Sequence, residues 1–298
     1  MKIGLLSVMM IKSYCERLNK KRRKLFPPHE NYEERNDIPY KENADFYNQF
    51  DLIYGKGEKK GCCVIDIHGG SYIFGNRKEN FFFGTKFVED GFDFISVDYH
   101  PNNGHKDTKE QIDECVECIN YIFSHIKELG LEGDKFVITG DSAGGHFALL
   151  LALAINNKDV AEKLGYCFNE NHVEAVLINC PVYNFVSVGE TKMTKRGTTR
   201  LLGPRFKDKA YMSSISPRAY LDTLSIPLFV STCKNDFLRS ESLLLKQEME
   251  GKNVPYQFVD IDCDDKRIGH VHNITDPNEK ESIEVNQAMC EFIAKAIS

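Results

Sequence analysis

Gly140-Asp141-Ser142-Ala143-Gly144-Gly145 is the stretch on which the reading of this sequence turns. The apolar run FVIT (136–139) precedes it, and the apolar stretch Leu149 to Ile155 follows. A serine between a strand and a helix, with glycine two residues away on each side, fits a nucleophile elbow. A side chain on so tight a turn is held in a strained backbone conformation, so its neighbours must be small. The helix start beyond it offers free N–H groups to a developing negative charge. A glycine-rich turn that merely opens a helix is the plainer alternative, and the strand-turn-helix context weighs against it.

Outward from this turn the chain keeps a regular rhythm. CCVIDI (62–67) ends in His68-Gly69-Gly70, FISV (94–97) at Asp98, AVLIN (175–179) at Cys180-Pro181, and PLFVST (227–232) shortly before Asp236. YQFVDI (256–261) closes the series, and QFDLIY (49–54) is an early strand candidate. Continuous β-rich runs suit strands buried on both faces of a parallel sheet. Helical patterns lie between them. Ile112, Val116, Ile119 and Phe123 share one helix face, Leu243 to Met249 lie on another helix, and Val285, Met289, Phe292, Ile293 and Ala296 mark the last. Alternating strand and helix predict an α/β architecture with a mostly parallel sheet flanked by helices. Residues 12–45 read as short helices and loop, broken at Pro27-Pro28. Residues 183–215 break the rhythm and would lie over the carboxyl ends of the strands.

Composition fits this class. The 298 residues are 42% hydrophobic and 28% charged, an ordinary globular balance that excludes a disordered or collagen-like chain. A net charge of -6 argues against a general nucleic-acid binder. The ten cysteines suggest bridges by parity, but their placement does not. Cys62 and Cys63 would face opposite sides of one strand, and Cys115 and Cys118 fall within a helical pattern with no second Cys-x-x-Cys. They read as core-filling thiols of a reducing, cytoplasmic compartment. The apolar run Ile3 to Ile11 is too short to span a bilayer and lacks a small-residue cleavage site. With the basic run Lys20 to Lys24 it reads as an amphipathic helix with a solvated basic face, and peripheral contact with anionic membrane lipid is the sharper alternative to that plainer reading.

Further residues extend the chemistry of the elbow. His68-Gly69-Gly70-Ser71 can turn its N–H groups toward a ligand oxygen, with the Ala143 N–H as partner donor. Asp236 follows a core strand and can orient an imidazole, although an isolated Asp there would be read as a helix cap. His270-Val271-His272 lies between the last strand and the last helix, where the order Ser, Asp, His requires a base. These spacings leave open which of the two histidines serves. No histidine pair has a convincing metal-ligand spacing.

HGGSYIFG (68–75), GDSAGG (140–145), NDFLR (235–239) and GHVHN (269–273) together resemble the α/β-hydrolase superfamily, and within it the hormone-sensitive-lipase-like esterases. The resemblance spans residues 60–298. It implies an α/β-hydrolase fold, with Ser142 as nucleophile, Asp236 as acid and His270 as base. His270 matches the histidine of the family's His-x-aromatic pattern, and His272 falls on the aromatic position. The resemblance also implies Gly69, Gly70 and Ala143 as oxyanion donors, and a small helical cap drawn from residues 1–45 and 183–215 of one domain. Two departures stand out. The third loop glycine of the family is Ser71 here, and its Asp-Tyr-Arg stretch reads Asp98-Tyr99-His100.

The expected activity is hydrolysis of small-molecule carboxylic esters through an acyl-enzyme, with no metal or organic cofactor. Amide or formamide hydrolysis by the same triad, and a non-catalytic ligand-binding member of the fold, are the alternatives. A dehalogenase would need a carboxylate at the elbow, and dinucleotide binding a G-x-G-x-x-G that is not formed there. A homo-oligomer is compatible with the sequence, which shows no interface.

Overall fold

The computed structural model describes residues 13, 17, 32–102, 104, 106–169, 172–188 and 202–298. The apolar runs form strands where their β-branched residues require them. β1 is Tyr32–Pro39, β2 Gln49–Gly55, β3 Cys62–Ile67, β4 Asp93–Val97, β5 Lys135–Asp141, β6 Ala175–Asn179, β7 Leu228–Cys233 and β8 Tyr256–Ile261. Together they make an eight-stranded sheet in the order β1-β2-β4-β3-β5-β6-β7-β8. β1, β2 and β4 pair antiparallel, and every pairing from β4 to β8 is parallel. The structure therefore has the expected α/β-hydrolase architecture.

β1 corrects one expectation. Residues 32–39 were expected in the cap, as helix or loop, and instead form the edge strand of the sheet. Their sequence, YEERNDIP, has no apolar run because the strand is largely solvated. A register shift between Arg35 and Ile38, with Asp37 at φ 60°, breaks the edge. Apart from Ser13 and Arg17, the earlier part of the expected cap lies outside the described residues, as do residues 189–201 of the second segment. The basic run Lys20 to Lys24 also falls there.

Helices cover both faces of the sheet. α1 is Phe81–Glu89, α2 Thr108–Ser124, α3 Ile126–Leu129, α4 Ala143–Ile155 and α5 Lys158–Leu164. α6 is Phe185–Val188, α7 Lys209–Ser214, α8 Arg239–Met249, α9 His272–Thr275 and α10 Lys280–Ala296. Alternation along β3 divides the core. Cys63, Ile65 and Ile67 join Ile112, Ile119 and Phe147 on one face. Cys62 and Val64 join Phe83, Phe94, Val285 and Met289 on the other. All nine described cysteines are free thiols, seven of them buried, in line with core filling. No helix among the described residues is long and apolar enough to cross a membrane.

A buried arginine fixes the strand ends that carry the site. Arg77, just before α1, donates to Asp51 on β2 at 2.9 Å, to Asp98 beyond β4 at 2.6 Å and to the Phe46 carbonyl at 2.6 Å. It also reaches Asp37 and Gln49. Its planar fork suits several acceptors at once, which an ammonium could not match. Arg77→Ala leaves Asp51 and Asp98 buried beside no cation of this geometry. It should destabilise the fold by about 3–5 kcal/mol. Lys78→Ala, which removes a partly exposed partner of Asp37 and Asp51, should cost less than about 1 kcal/mol. Urea unfolding of the two variants checks both values.

Candidate active site

Ser142 stands at the carboxyl end of β5 with φ 54° and ψ -115°. The glycines around it are explained by distance. A Cβ on Gly144 would lie 1.9 Å from the Ile67 carbonyl oxygen, and one on Gly140 would lie 2.5 Å from the Gly144 oxygen. The turn is closed by backbone bonds: Ser142 N donates to Asn179 O at 2.9 Å, and Val182 N to Ser142 O at 3.0 Å. β6 and the chain beyond it thus hold the serine in place.

The residues singled out in the sequence from three separate loops meet here. Ser142 Oγ lies 3.0 Å from His270 Nε2, and His270 Nδ1 lies 2.6 Å from Asp236 Oδ1. Asp236 also accepts from Thr232 Oγ1 at 2.8 Å and from Leu238 N at 2.9 Å. Burial opposes its charge, but the His270 hydrogen bond and these other donors hold the carboxyl below its usual range. An ionised carboxylate can only accept, so His270 Nδ1 carries the proton and Nε2 is free to accept from the serine.

His272 has a different place. It is 3% exposed and its Nδ1 lies 3.0 Å from Ser282 Oγ on α10. Burial lowers its basicity, which keeps it neutral inside the core. Backbone strain separates the two histidines: Val271 adopts φ 52°, and its N–H donates to Cys180 Sγ at 3.3 Å. Asn273 Nδ2 anchors the same turn to Asn179 Oδ1 at 2.9 Å.

The loop after β3 corrects a second expectation. Gly69 N donates to Asp141 Oδ1 at 2.9 Å, so this N–H is committed to the elbow and does not face a substrate oxygen. Among the described residues none accepts the N–H of Gly70, Ser71 or Ala143. Gly70, Ser71 and Tyr72 have φ of 125°, 52° and 68° in succession. Ser71, the departure from the family's third loop glycine, thus holds a positive φ that its identity does not announce.

Two buried histidines brace this region. His68 Nδ1 donates to the Gly69 carbonyl at 2.6 Å and Nε2 to Asp98 at 3.1 Å. Both partners only accept, so the ring is an imidazolium. Burial opposes that charge, and Asp98 outweighs it and raises the His68 pKa. His146 on α4 is the reverse case, pushed down to about 4 by burial. Its Nε2 donates to the Ile215 carbonyl at 2.6 Å, and its Nδ1 accepts from Tyr72 Oη at 3.0 Å. Phe237, 69% exposed, lies against the His270 ring with centroids 4.1 Å apart.

One grouping of metal-ligating side chains occurs among the described residues, Cys180, Asp236 and His270. Two of these are already hydrogen-bonded to each other, and burial raises the Cys180 thiol well above its usual range. A neutral thiol is a poor ligand, and this one accepts the Val271 N–H instead.

The family model described as BD-FAE matches residues 50–249. Esterase LipQ of Mycobacterium tuberculosis is 26% identical over 213 residues, covering 68% of this chain and 49% of that protein. The probable carboxylic ester hydrolase LipM of the same organism is 26% identical over 184 residues, covering 59% of this chain and 41% of that protein. The chain thus spans less than half the length of these two relatives. Esterase B of Lactobacillus rhamnosis superposes with a TM-score of 0.85 at 22% identity, over 99% of this chain and 95% of that chain.

The elbow makes a direct prediction. Gly144→Ala forces backbone against backbone and should cost about 3 kcal/mol. Gly57→Ala, with nothing near its added Cβ, should stay within about 0.5 kcal/mol. Thermal and urea unfolding of both proteins check the contrast.

Proposed function

The chain belongs to the BD-FAE family of α/β-hydrolases, and from that premise we propose that it is a serine carboxylic-ester hydrolase acting on small-molecule esters. The observation that carries this reading is the unbroken hydrogen-bond chain from Ser142 through His270 to Asp236. Ser142 Oγ attacks the ester carbonyl while His270 Nε2 takes its proton. Asp236 holds the imidazole in the required tautomer and stabilises its charged form.

The tetrahedral oxyanion is held by the N–H groups of Gly70, Ser71 and Ala143, aimed where charge develops. Ala143 supplies the first N–H of α4, which has no acceptor within its helix. His270 then returns its proton to the leaving alcohol, and water releases the acyl group by the same steps in reverse. Every step is carried by side chains and backbone of this chain.

Esterase B has been solved with a C4-C4 SN3 tributyrin phosphonate inhibitor. Short-chain acyl esters are therefore the first class to assay. Ser142→Ala should lower kcat on a nitrophenyl acetate by about 10⁴- to 10⁶-fold. An unchanged rate would sink the assignment. A fluorophosphonate probe should label Ser142 in the parent and in His272→Ala, provided the latter folds, but not in His270→Ala. Labelling that depends on His272 instead would transfer the role of base to that residue.

A further inference from the structure

Behind the oxyanion loop lies a buried polar cluster that the proposed triad does not use. Asp66, on β3, is fully buried on the sheet face that packs against α1. Asn80, the residue before α1, is 4% exposed. Its Nδ2 lies 3.0 Å from Asp66 Oδ2, 3.3 Å from Asp66 Oδ1 and 3.0 Å from Asp141 Oδ1. Ser96 Oγ on β4 donates to Asp66 Oδ2 at 3.1 Å. Asp141 Oδ1 is the same oxygen that accepts the Gly69 N–H.

The amide nitrogen of Asn80 has two hydrogens, enough for one carboxyl on each side. It thereby connects the sheet interior to the residue immediately before the nucleophile. Asp141 in turn connects that residue to the loop of Gly70 and Ser71. These loop residues hold positive φ, which the chain does not favour unaided at Ser71. Their N–H groups can face a developing oxyanion only if an outside contact fixes the loop's distance from Ser142. Resting on the ester-hydrolase reading, we propose that Asn80, backed by Asp66, is a positioning residue that orients Asp141 and so sets the oxyanion loop against the nucleophile turn.

The charge balance of the cluster supports this arrangement. Burial and the neighbouring Asp141 push the Asp66 carboxyl up to about 8. Below that pH Asp66 is neutral, and Asp141 is the cluster's other acid. The groups that face Asp66 are His68 at the end of its own strand, Asp141 on β5, Asn80 before α1 and Ser96 on β4. Burial raises the Asp141 carboxyl above its usual range, while the Asn80 amide, the His68 imidazolium and the Gly69 N–H favour its charged form. When Asp66 ionises, a second buried anion competes for the same Asn80 amide, and the hold on Asp141 weakens.

The test compares parent, Ser142→Ala, Asn80→Ala and Asp66→Asn on nitrophenyl acetate between pH 6 and 10. Asn80→Ala should lower kcat by about 10- to 100-fold, with KM changed less than about twofold. In the parent, kcat should fall as pH rises through about 8. In Asp66→Asn, which cannot ionise, that alkaline limb should be absent. A folded Asn80→Ala with the parent's kcat overturns the proposal, and so does an Asp66→Asn profile that keeps the alkaline limb. If Asn80→Ala does not fold, the Asp66→Asn profile alone decides. Parent turnover that Ser142→Ala does not reduce would instead overturn the ester-hydrolase reading, and this inference with it.

Discussion

Ser142 holds a backbone conformation, φ 54° and ψ -115°, that a residue with a side chain occupies only when its surroundings impose it. Much of the local structure follows from that requirement. Gly140 and Gly144 are glycines because the turn brings backbone onto backbone. Asn179 O receives the Ser142 N–H, so β6 must run beside β5 in this register. Asn179 also accepts through its side chain from Ser231 and Asn273, which brings β7 and the base-bearing turn to the same place. The strained serine and the histidine that would activate it are thus held by one asparagine.

A second constraint is electrostatic. A chain of buried charges of alternating sign runs beside the loop after β3. Asp51 faces Arg77, Arg77 faces Asp98, and Asp98 faces the His68 imidazolium. Burying any one of these alone would be costly, so they persist as a set. The set also has a direction. It begins at Asp37 on the solvated edge strand β1 and Asp51 on β2, and ends at the Gly69 carbonyl, which His68 holds from within. Antiparallel β1 and β2, remote from Ser142 in sequence, therefore bear on the shape of the loop after β3.

The parts of the fold legible in the sequence are those with a strong local cause. CCVIDI and AVLIN are fully buried, YQFVDI carries a β-rich run at the far edge, and their residue ranges match β3, β6 and β8. β1 was missed because an edge strand has little to bury and carries no alternation. α1, FFFGTKFVE, was not singled out because its aromatic run shows no clear helical period and a glycine sits inside it. That glycine lies where any Cβ would meet the Phe94 ring at 2.4 Å, a fact of packing between distant segments. At the site, Ser142, Asp236 and His270 were named from local motifs. That the Gly69 N–H is already taken was not legible, because its partner, Asp141, lies seventy-two residues away in the chain.

The same distinction separates Ser142, Asp236 and His270 from the described parts of residues 183–215. The first three are held by strand ends and by contacts within the sheet. The described parts of residues 183–215 are attached by other means. Glu241 on α8 accepts from Tyr183 N, Asn184 N and Ser187 Oγ, and so anchors the start of α6. Ile215, at the end of α7, reaches the active-site region through its carbonyl on His146. His146 passes that contact to Tyr72, next to Ser71 in the oxyanion loop. A neutral ring suits this role, since it donates on one side and accepts on the other without a buried charge. The described parts of the segment are thus fastened at both ends, one to α8 and one to the elbow helix.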